Sequence, residues 1–198
     1  LAELEREETA EARRESWRSA RRAFLWEHLS SWLPVYLEKL GRVAPPFYRR
    51  WGALLANALD EETRHLSGGE TLPLQLRDQI APADPREASA EEFMQSLLAP
   101  ARSGMILVRS DLLRAARSLS LGARIGERRF VLRSLFAQDA RATLSWLAAE
   151  AEDAAARHAK MRAPFGLIAR AWQQRAQRAA ALLRELEADA HTSLSEPV

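Results

Sequence analysis

Residues Phe24–Leu66 read FLWEHLSSWLPVYLEKLGRVAPPFYRRWGALLANALDEETRHL and contain both Tyr residues of the chain. Pro34 predicts a kink or an end in a first helix, because proline lacks the N–H that a helix interior needs. Pro45 and Pro46 predict the start of a second helix, since proline is tolerated in a first turn. Burying each large apolar side chain of this hairpin contributes roughly 1.5–3 kcal/mol. We therefore expect the rest of the chain, or a partner, to cover it.

The flanking sequence is also helical in pattern. We predict one long helix over Leu1–Leu33, a capping box of Ser89 and Glu92 that opens a later helix, and a last helix from Pro164. The run Ser103–Val108 (SGMILV) is strand-like but short. The inward stripe predicted for the end of the first helix consists of Trp17, Ala20, Phe24, Leu25, His28, Leu29 and Trp32.

These elements predict an all-α protein organised as one domain. A helical hairpin segment spans 1–66, and a connection containing Pro and Gly spans 67–90. A helical C-terminal segment follows over 91–190, and 191–198 is expected to be a disordered tail. We expect a cytoplasmic protein, because the first residues lack a signal-peptide pattern and no apolar run approaches the ~18 residues that span a bilayer.

Basic residues are numerous, and all but Lys39 and Lys160 of the 29 are Arg. Nucleic-acid binders usually gather such charge on one face or in a tail. Here 27 acidic residues are interspersed with the basic ones, so the net charge is only +2. Solvent-exposed helix faces with paired charges account for this pattern. An Arg-rich helical protein that regulates or binds nucleic acid or another protein remains the alternative.

Signs of catalysis are sparse. The chain has no Cys, which excludes thiol catalysis, and no Gly-rich phosphate-binding loop. Glu61, Glu62 and His65 share one helical turn and could hold a metal weakly, but a solvent-facing helix end is the simpler interpretation. We expect a non-enzymatic protein without metal or other cofactor. The remaining feature is an aromatic, proline-bounded helical surface suited to holding a peptide.

Two stretches resemble the TorD/DmsD/NarJ family of redox-enzyme maturation chaperones. The first is FLWEHLSSWLP followed by PPFYRRWGALLANALDEE, similar to the family's FLxEHLxxWLP-like and PFYxxLAxLxxxFL-like segments. The second is SGMILVRSDLLRAARSLSLGARIGERRFVLRSLF, similar to a stretch in members encoded near molybdenum oxidoreductases. The resemblance covers roughly residues 20–149. It implies an all-helical bundle of the TorD-like type, here with an extra C-terminal helix.

The resemblance also implies a function. Such proteins bind the apo form of a molybdopterin oxidoreductase, often through its twin-arginine signal peptide, and hold it until cofactor insertion is complete. The family's N-terminal helices and its acidic E-P-x-D-H-like motif have no counterpart in this sequence. Three explanations stay open: the sequence is part of a longer protein, this member is truncated, or another chain supplies the missing helices, as in a domain-swapped homodimer.

The resemblance points to peptide contacts on the hairpin. We expect Glu27 to pair with the twin arginines and the aromatic residues to provide apolar contact. Expected partners are the apo-enzyme subunit and its signal peptide, with no nucleic acid and no stable membrane insertion. The predicted client-binding residues are Glu27, His28, Trp32, Pro34, Phe47, Tyr48 and Trp51.

Overall fold

The all-α prediction is confirmed by a computed structural model that describes residues 1–66, 71–78, 80–122, 125–161 and 163–195. Side chains are described for these residues except for 2 and 191–195. Within the described ranges every regular element is a helix and no strand occurs. The strand-like run 103–108 therefore does not form a strand. Its first residue ends a short helix, and the rest is non-helical chain that leads into the next helix.

The chain divides into two compact units. Unit 1 comprises Leu1–Asp78 and Met161–Ala171, and unit 2 comprises Gln79–Lys160 and Trp172–Val198. The expectation of one domain overall stays a prediction. The first boundary falls inside the predicted connection 67–90, where three prolines interrupt the helical pattern.

Unit 1 is built on the aromatic hairpin. Proline is placed as expected at the start of the second hairpin helix, because Pro46 is its first residue. Pro34 also lies in a first turn instead of kinking a helix interior. The helices of this unit are α1 (Ala2–Glu7), α2 (Glu11–Ala23), a π-helical segment (Phe24–Ser30), α3 (Leu33–Val43), α4 (Pro46–His65) and α5 (Leu74–Arg77).

The single helix predicted over Leu1–Leu33 is wrong. The chain breaks at Ala10, whose backbone is extended with φ −82° and ψ 119° and whose N–H donates to Oε1 of Glu8 at 3.0 Å. Glu5 on α1 then accepts hydrogen bonds from Arg18 at 3.1 Å and Arg21 at 2.9 Å, both on α2. The break lets α1 and α2 pair side by side, which one continuous helix could not do.

The apolar stripe predicted for the end of that helix is also corrected. Leu25 and Trp26 are buried, whereas Phe24, His28 and Trp32 are exposed. The π-helical segment explains the change, because its i→i+5 hydrogen bonds widen the turn and shift the phase of the side chains. The Nε1–H of Trp26 donates to the carbonyl oxygen of Thr71 at 2.7 Å and anchors the segment.

Unit 2 holds an apolar core made mostly of Leu, Met, Val and Ala side chains. Leu97, Leu112, Leu147 and Leu183 are each fully buried there. Alanines along the later helices allow close helix packing against these larger side chains. The helices are α6 (Ala90–Leu98), α7 (Pro100–Ser103), α8 (Arg109–Ser118), α9 (Arg128–Gln138), α10 (Ala140–His158) and the part of α11 (Gly166–Ser195) from Trp172 onward.

The helix starts of unit 2 follow capping rules. The predicted box is confirmed: Glu92 N–H donates to Ser89 Oγ at 3.2 Å, and Ser89 N–H donates back to Glu92 Oε2 at 3.0 Å. Asp139 caps α10 by accepting from Ala142 N–H at 2.8 Å. The start of α8 is secured by Asp111, whose Oδ2 accepts from Val108 N–H at 2.8 Å.

The last helix is longer than expected. α11 begins at Gly166, two residues after the predicted start at Pro164. It continues through Ser195, so the predicted disordered segment 191–198 is helical over 191–195. Residues 196–198 lie outside the described part of the chain. The first residues of α11, up to Ala171, belong to unit 1.

Candidate functional site: a cavity beside α3 and α4

Unit 1 contains a cavity of about 430 Å³ that opens on one side of the hairpin. Its walls come from α3, from α4 and from the segment that precedes α11. Most of the lining side chains are apolar or small, and three are charged. The lining residues are Pro34, Leu37, Glu38, Gly41, Arg49, Gly52, Ala53, Ala56, Leu59, Asp60, Met161, Ala163 and Phe165.

Small residues on α4 create this space. A Cβ at Gly52 would lie 2.9 Å from Cδ2 of Leu40, so glycine allows α4 to lie close to α3 at this level. Ala53 and Ala56 then leave the wall open where longer side chains would fill it. Leu59 and Phe165 pack into the apolar cluster of the unit and form the interior surface. The cavity therefore results from side-chain size on one face of a helix.

Charges border the apolar surface. Glu38 Oε1 lies 4.0 Å from Nε of Arg42, and Asp60 Oδ2 lies 2.9 Å from Nη2 of Arg64, each pair one turn apart on its own helix. Both carboxylates are partly exposed, so their pairs are of the surface kind that contributes ~0–1 kcal/mol. Arg49 is the cation among the lining residues. The rim thus combines two acidic side chains with one basic one.

Only Pro34 of the seven predicted client-binding residues lines the cavity. Glu27 is half-buried, and its Oε2 accepts a hydrogen bond from Leu74 N–H at 2.6 Å. The carboxylate expected to pair with peptide arginines is thus engaged in holding the chain at the start of α5.

A row of rings runs along the outside of the π-helical segment and α3. Phe24 and His28 have ring centroids 5.8 Å apart, and Trp32 and Tyr36 repeat that separation. The Nε1–H of Trp32 donates to the carbonyl oxygen of His28 at 2.7 Å, which ties the second pair to the first. This row brings together two predicted residues, His28 and Trp32, and adds two that were not predicted.

The outer face of α4 carries the remaining predicted residues. Phe47 is 71% exposed, Tyr48 56% and Trp51 55%, and the rings of Phe47 and Tyr48 meet edge to face at 5.3 Å. Leu54, one turn further on, is 69% exposed. We call the surface of Phe47, Trp51, Leu54 and Ala58 the outer stripe. These four residues share one side of the helix at i, i+4, i+7 and i+11.

Sequence reasoning missed most of the cavity. The sequence of α4 did contain a sign of the cavity: the small residues Gly52, Ala53 and Ala56 lie on a different side of the helix from the large residues of the outer stripe. Glu38 and Asp60 carried no pattern of their own. Their relation to the apolar wall arises only when α3 and α4 pack.

Several other polar groups of unit 1 serve structural contacts. Glu62 forms a charge pair with Arg21 and is therefore tied to α2. Among the described residues, no group of three His, Cys, Asp or Glu is placed to hold a metal ion. Hydrogen bonds from Arg21 and then Arg18 hold the pKa of Glu5 below its ordinary value, although partial burial opposes them. These contacts fix α1 and α4 to α2.

Arginines of unit 2 are also held by carboxylates. Arg114 Nη2 lies 3.1 Å from Asp111 and 2.9 Å from Glu150, and its guanidinium lies 5.3 Å from the ring centroid of Trp146. Arg184 pairs with Glu152 and Glu187, each at 2.9 Å.

No helix in the described part of the chain has both the length and the apolar content needed to cross a membrane.

Comparison of the chain with protein-family models, with curated proteins and with solved structures finds no match. The features that bear on function are therefore the cavity, its charges and the sequence motifs.

Proposed function

We propose that this protein is a non-catalytic chaperone that holds an apolar, arginine-containing segment of a client in the cavity beside α3 and α4. The client class suggested by the sequence motifs is the apo form of a molybdopterin oxidoreductase with its twin-arginine signal peptide, held in the cytoplasm before export or assembly. The observation that carries the proposal is one cavity that combines an apolar interior with Glu38 and Asp60 at its rim.

The size of the cavity supports a side-chain or short-peptide ligand. Ligand pockets typically measure ~300–1,000 Å³ and are mostly apolar with a few polar groups. At about 430 Å³ this cavity is in that range, with room for a few side chains of an extended or helical segment. Leu37, Leu59 and Phe165 supply the apolar contact. A signal peptide carries an apolar run after its arginines, which suits such a surface.

The rim charges suit guanidinium groups. An arginine can pair with a carboxylate through two parallel N–H···O bonds, a geometry that lysine cannot reproduce. Asp60 and Glu38 now face Arg64 and Arg42 of their own helices. Because such exposed intrahelical pairs are weak, a client arginine can replace them at little cost. We expect a preference for twin arginine over twin lysine in the client.

The test is a titration of a fluorescently labelled twin-arginine signal peptide with the full chain, followed by anisotropy. We expect saturable binding that weakens about 5- to 10-fold in the double variant Glu38→Gln/Asp60→Asn, equivalent to about 1–1.4 kcal/mol. Glu61→Gln is the matched control, because Glu61 is exposed on α4 and does not line the cavity. Its affinity should equal that of the unmodified chain.

Two further titrations sharpen the result. A twin-lysine peptide should bind more weakly to the unmodified chain, and the double variant should lose that discrimination. A duplex DNA titration over a series of salt concentrations addresses the alternative of nucleic-acid binding, which would show a steep loss of affinity with salt. Absence of saturable peptide binding, or equal binding by the double variant, would contradict the proposal.

A further inference from the structure

The outer stripe of α4 has no role in the cavity. Its three large members are each more than half exposed: Phe47 71%, Trp51 55% and Leu54 69%. Exposed apolar patches of this kind mark interaction surfaces. Aromatic residues, Trp and Tyr above all, supply much of the energy at protein interfaces. The charges around the stripe restrict the kind of partner that can bind to it.

Charges of both signs lie along α4. Arg49 and Arg50 lie in its first turns, Asp60 and Glu61 lie further on, and Arg64, which pairs with Asp60, lies in its last turn. Arg50 and Glu61 are both exposed and lie about three turns apart along the same edge of the outer stripe. Within the part of the chain that the structure describes, neither residue makes an ion pair. A partner helix should therefore present acid opposite Arg50 and base opposite Glu61.

A second copy of α4 in antiparallel orientation meets that requirement. Turning the helix about a two-fold axis near Leu55 and Ala56 places Arg50 of each copy beside Glu61 of the other. The same rotation sets Leu54 near Ala58 of the second copy. A parallel arrangement would instead bring like charges together, which is unfavourable. Two-fold symmetric contacts of this kind are the commonest way in which identical chains associate.

We propose that the outer stripe is the contact surface of a homodimer in which two copies of α4 pack antiparallel, with Arg50 and Glu61 forming two equivalent ion pairs. The contact uses the folded face of each chain and exchanges no element. It is therefore distinct from a domain-swapped dimer. It also leaves the cavity residues Ala53, Ala56 and Asp60 on another side of the helix, so dimerisation and client binding are separate properties.

Sedimentation velocity over a range of concentrations, together with light scattering, tests the dimer without any client. We expect the unmodified chain of 22.3 kDa to approach twice that mass as concentration rises. Trp51→Glu should remain monomeric, because it places a charge in the centre of the contact. Arg50→Glu should weaken the dimer at least tenfold, and the charge-swapped variant Arg50→Glu/Glu61→Arg should restore it. Arg117→Glu, an exposed position of unit 2, is the control.

Circular dichroism establishes that each variant keeps the helical fold. A monomer at every concentration would overturn the proposal, as would a dimer that persists in both Trp51→Glu and Arg50→Glu. Flotation with phosphatidylglycerol vesicles tests whether the stripe binds a membrane instead of a second copy. A monomer that binds the vesicles through Trp51 would make the stripe a membrane-facing surface. Loss of labelled-peptide binding in Trp51→Glu, without change of mass, would assign the stripe to the client. Either result would also overturn the dimer.

Discussion

The two units use their large apolar side chains in opposite ways. Among the residues whose side chains the structure describes, fifteen large apolar ones are exposed: Ile80, Ile125 and Phe130 belong to unit 2, and the other twelve belong to unit 1. In the same part of the chain, the twelve largest fully buried side chains show the reverse: unit 1 contributes Val35, Thr63 and Ile168, and the other nine lie in unit 2.

We interpret this difference as a division between a stabilising core in unit 2 and the proposed binding surfaces in unit 1. Unit 2 completely buries a set of core leucines, among them Leu97 and Leu147, and exposes faces on which arginines pair with carboxylates. Unit 1 keeps rings on its surface and a cavity beside α3 and α4. Exposed rings lower solubility and contribute little to a core. Their presence on the surface of unit 1 therefore favours a binding role for that surface. The comparison predicts that equivalent substitutions will have different effects in the two units.

The largest difference should come from two glycines. Gly104 in unit 2 has φ +67°, and a Cβ there would lie 2.3 Å from the backbone nitrogen of Ala176 on α11. We expect Gly104→Ala to lower the free energy of unfolding by about 4 kcal/mol or more, because neither backbone can yield without disturbing the core. Urea unfolding followed by far-UV circular dichroism measures the loss.

Gly41 in α3 is the matched control. A Cβ at Gly41 would meet no atom within 4 Å, and its backbone is helical. Gly41→Ala should therefore raise stability by about 0.5–1 kcal/mol, since alanine has the better helix propensity. Equal effects of the two substitutions would contradict the close packing of Gly104 on α11.

A leucine pair tests the burial contrast. Leu147 on α10 is completely buried, and Leu147→Ala should lower the free energy of unfolding by about 3 kcal/mol through lost burial and a residual cavity. Leu54 on the outer stripe is 69% exposed, so Leu54→Ala should change stability by less than about 0.5 kcal/mol. The same urea experiment measures both, at a concentration that keeps the chain monomeric. A substantial loss for Leu54→Ala would show that the stripe is covered within the chain.

A smaller effect concerns pH. His158 in unit 2 is buried, and its Nε2–H donates to the carbonyl oxygen of Gly104 at 2.9 Å. Burial lowers the pKa of His158 from its usual value, the bond to Gly104 opposes that change, and the charge of Arg157 adds to it. The unfolded chain therefore takes up this proton at a higher pH than the folded chain does.

Stability should consequently be complete above pH ~6.5 and fall as the pH decreases towards the lowered pKa of the folded state. The slope from this one group is at most about 1.4 kcal/mol per pH unit. Thermal unfolding at closely spaced pH values measures it, and His158→Gln should flatten the dependence in this window. A pH dependence that persists in His158→Gln would assign it to other groups.

Local chemistry explains which parts of the fold were predictable. Pro46 at the start of α4 and Ser89 with Glu92 at the start of α6 act within one helical turn, so sequence spacing is sufficient to place them. The all-α class follows from the same local signals. The run 103–108 resembles a strand in sequence because its apolar side chains are buried. Leu107, for example, packs in the core of unit 2 from a non-helical segment that pairs with no strand in the described part of the chain.

The features that depend on tertiary structure were not predictable. The π-helical segment rotates Phe24 and His28 outward, and no pattern with a period of 3.6 residues can anticipate that change of phase. The cavity needs α3 and α4 to approach at Gly52, so Glu38 and Asp60 become rim residues only after packing. Of the predicted binding residues, Pro34 alone lines the cavity, because the others were chosen for their rings or, in the case of Glu27, for its charge.

The chain has no Cys, so single introduced thiols can report on the cavity directly. Ala53→Cys would place a thiol at the cavity, and Ala58→Cys would place one on the outer stripe of the same helix. The measurement is the rate of thiol labelling with and without a saturating twin-arginine peptide, at a concentration that keeps the chain monomeric. Client binding in the cavity predicts strong protection of Ala53→Cys and none of Ala58→Cys. Protection of Ala58→Cys alone, or of neither thiol, would contradict client binding in the cavity.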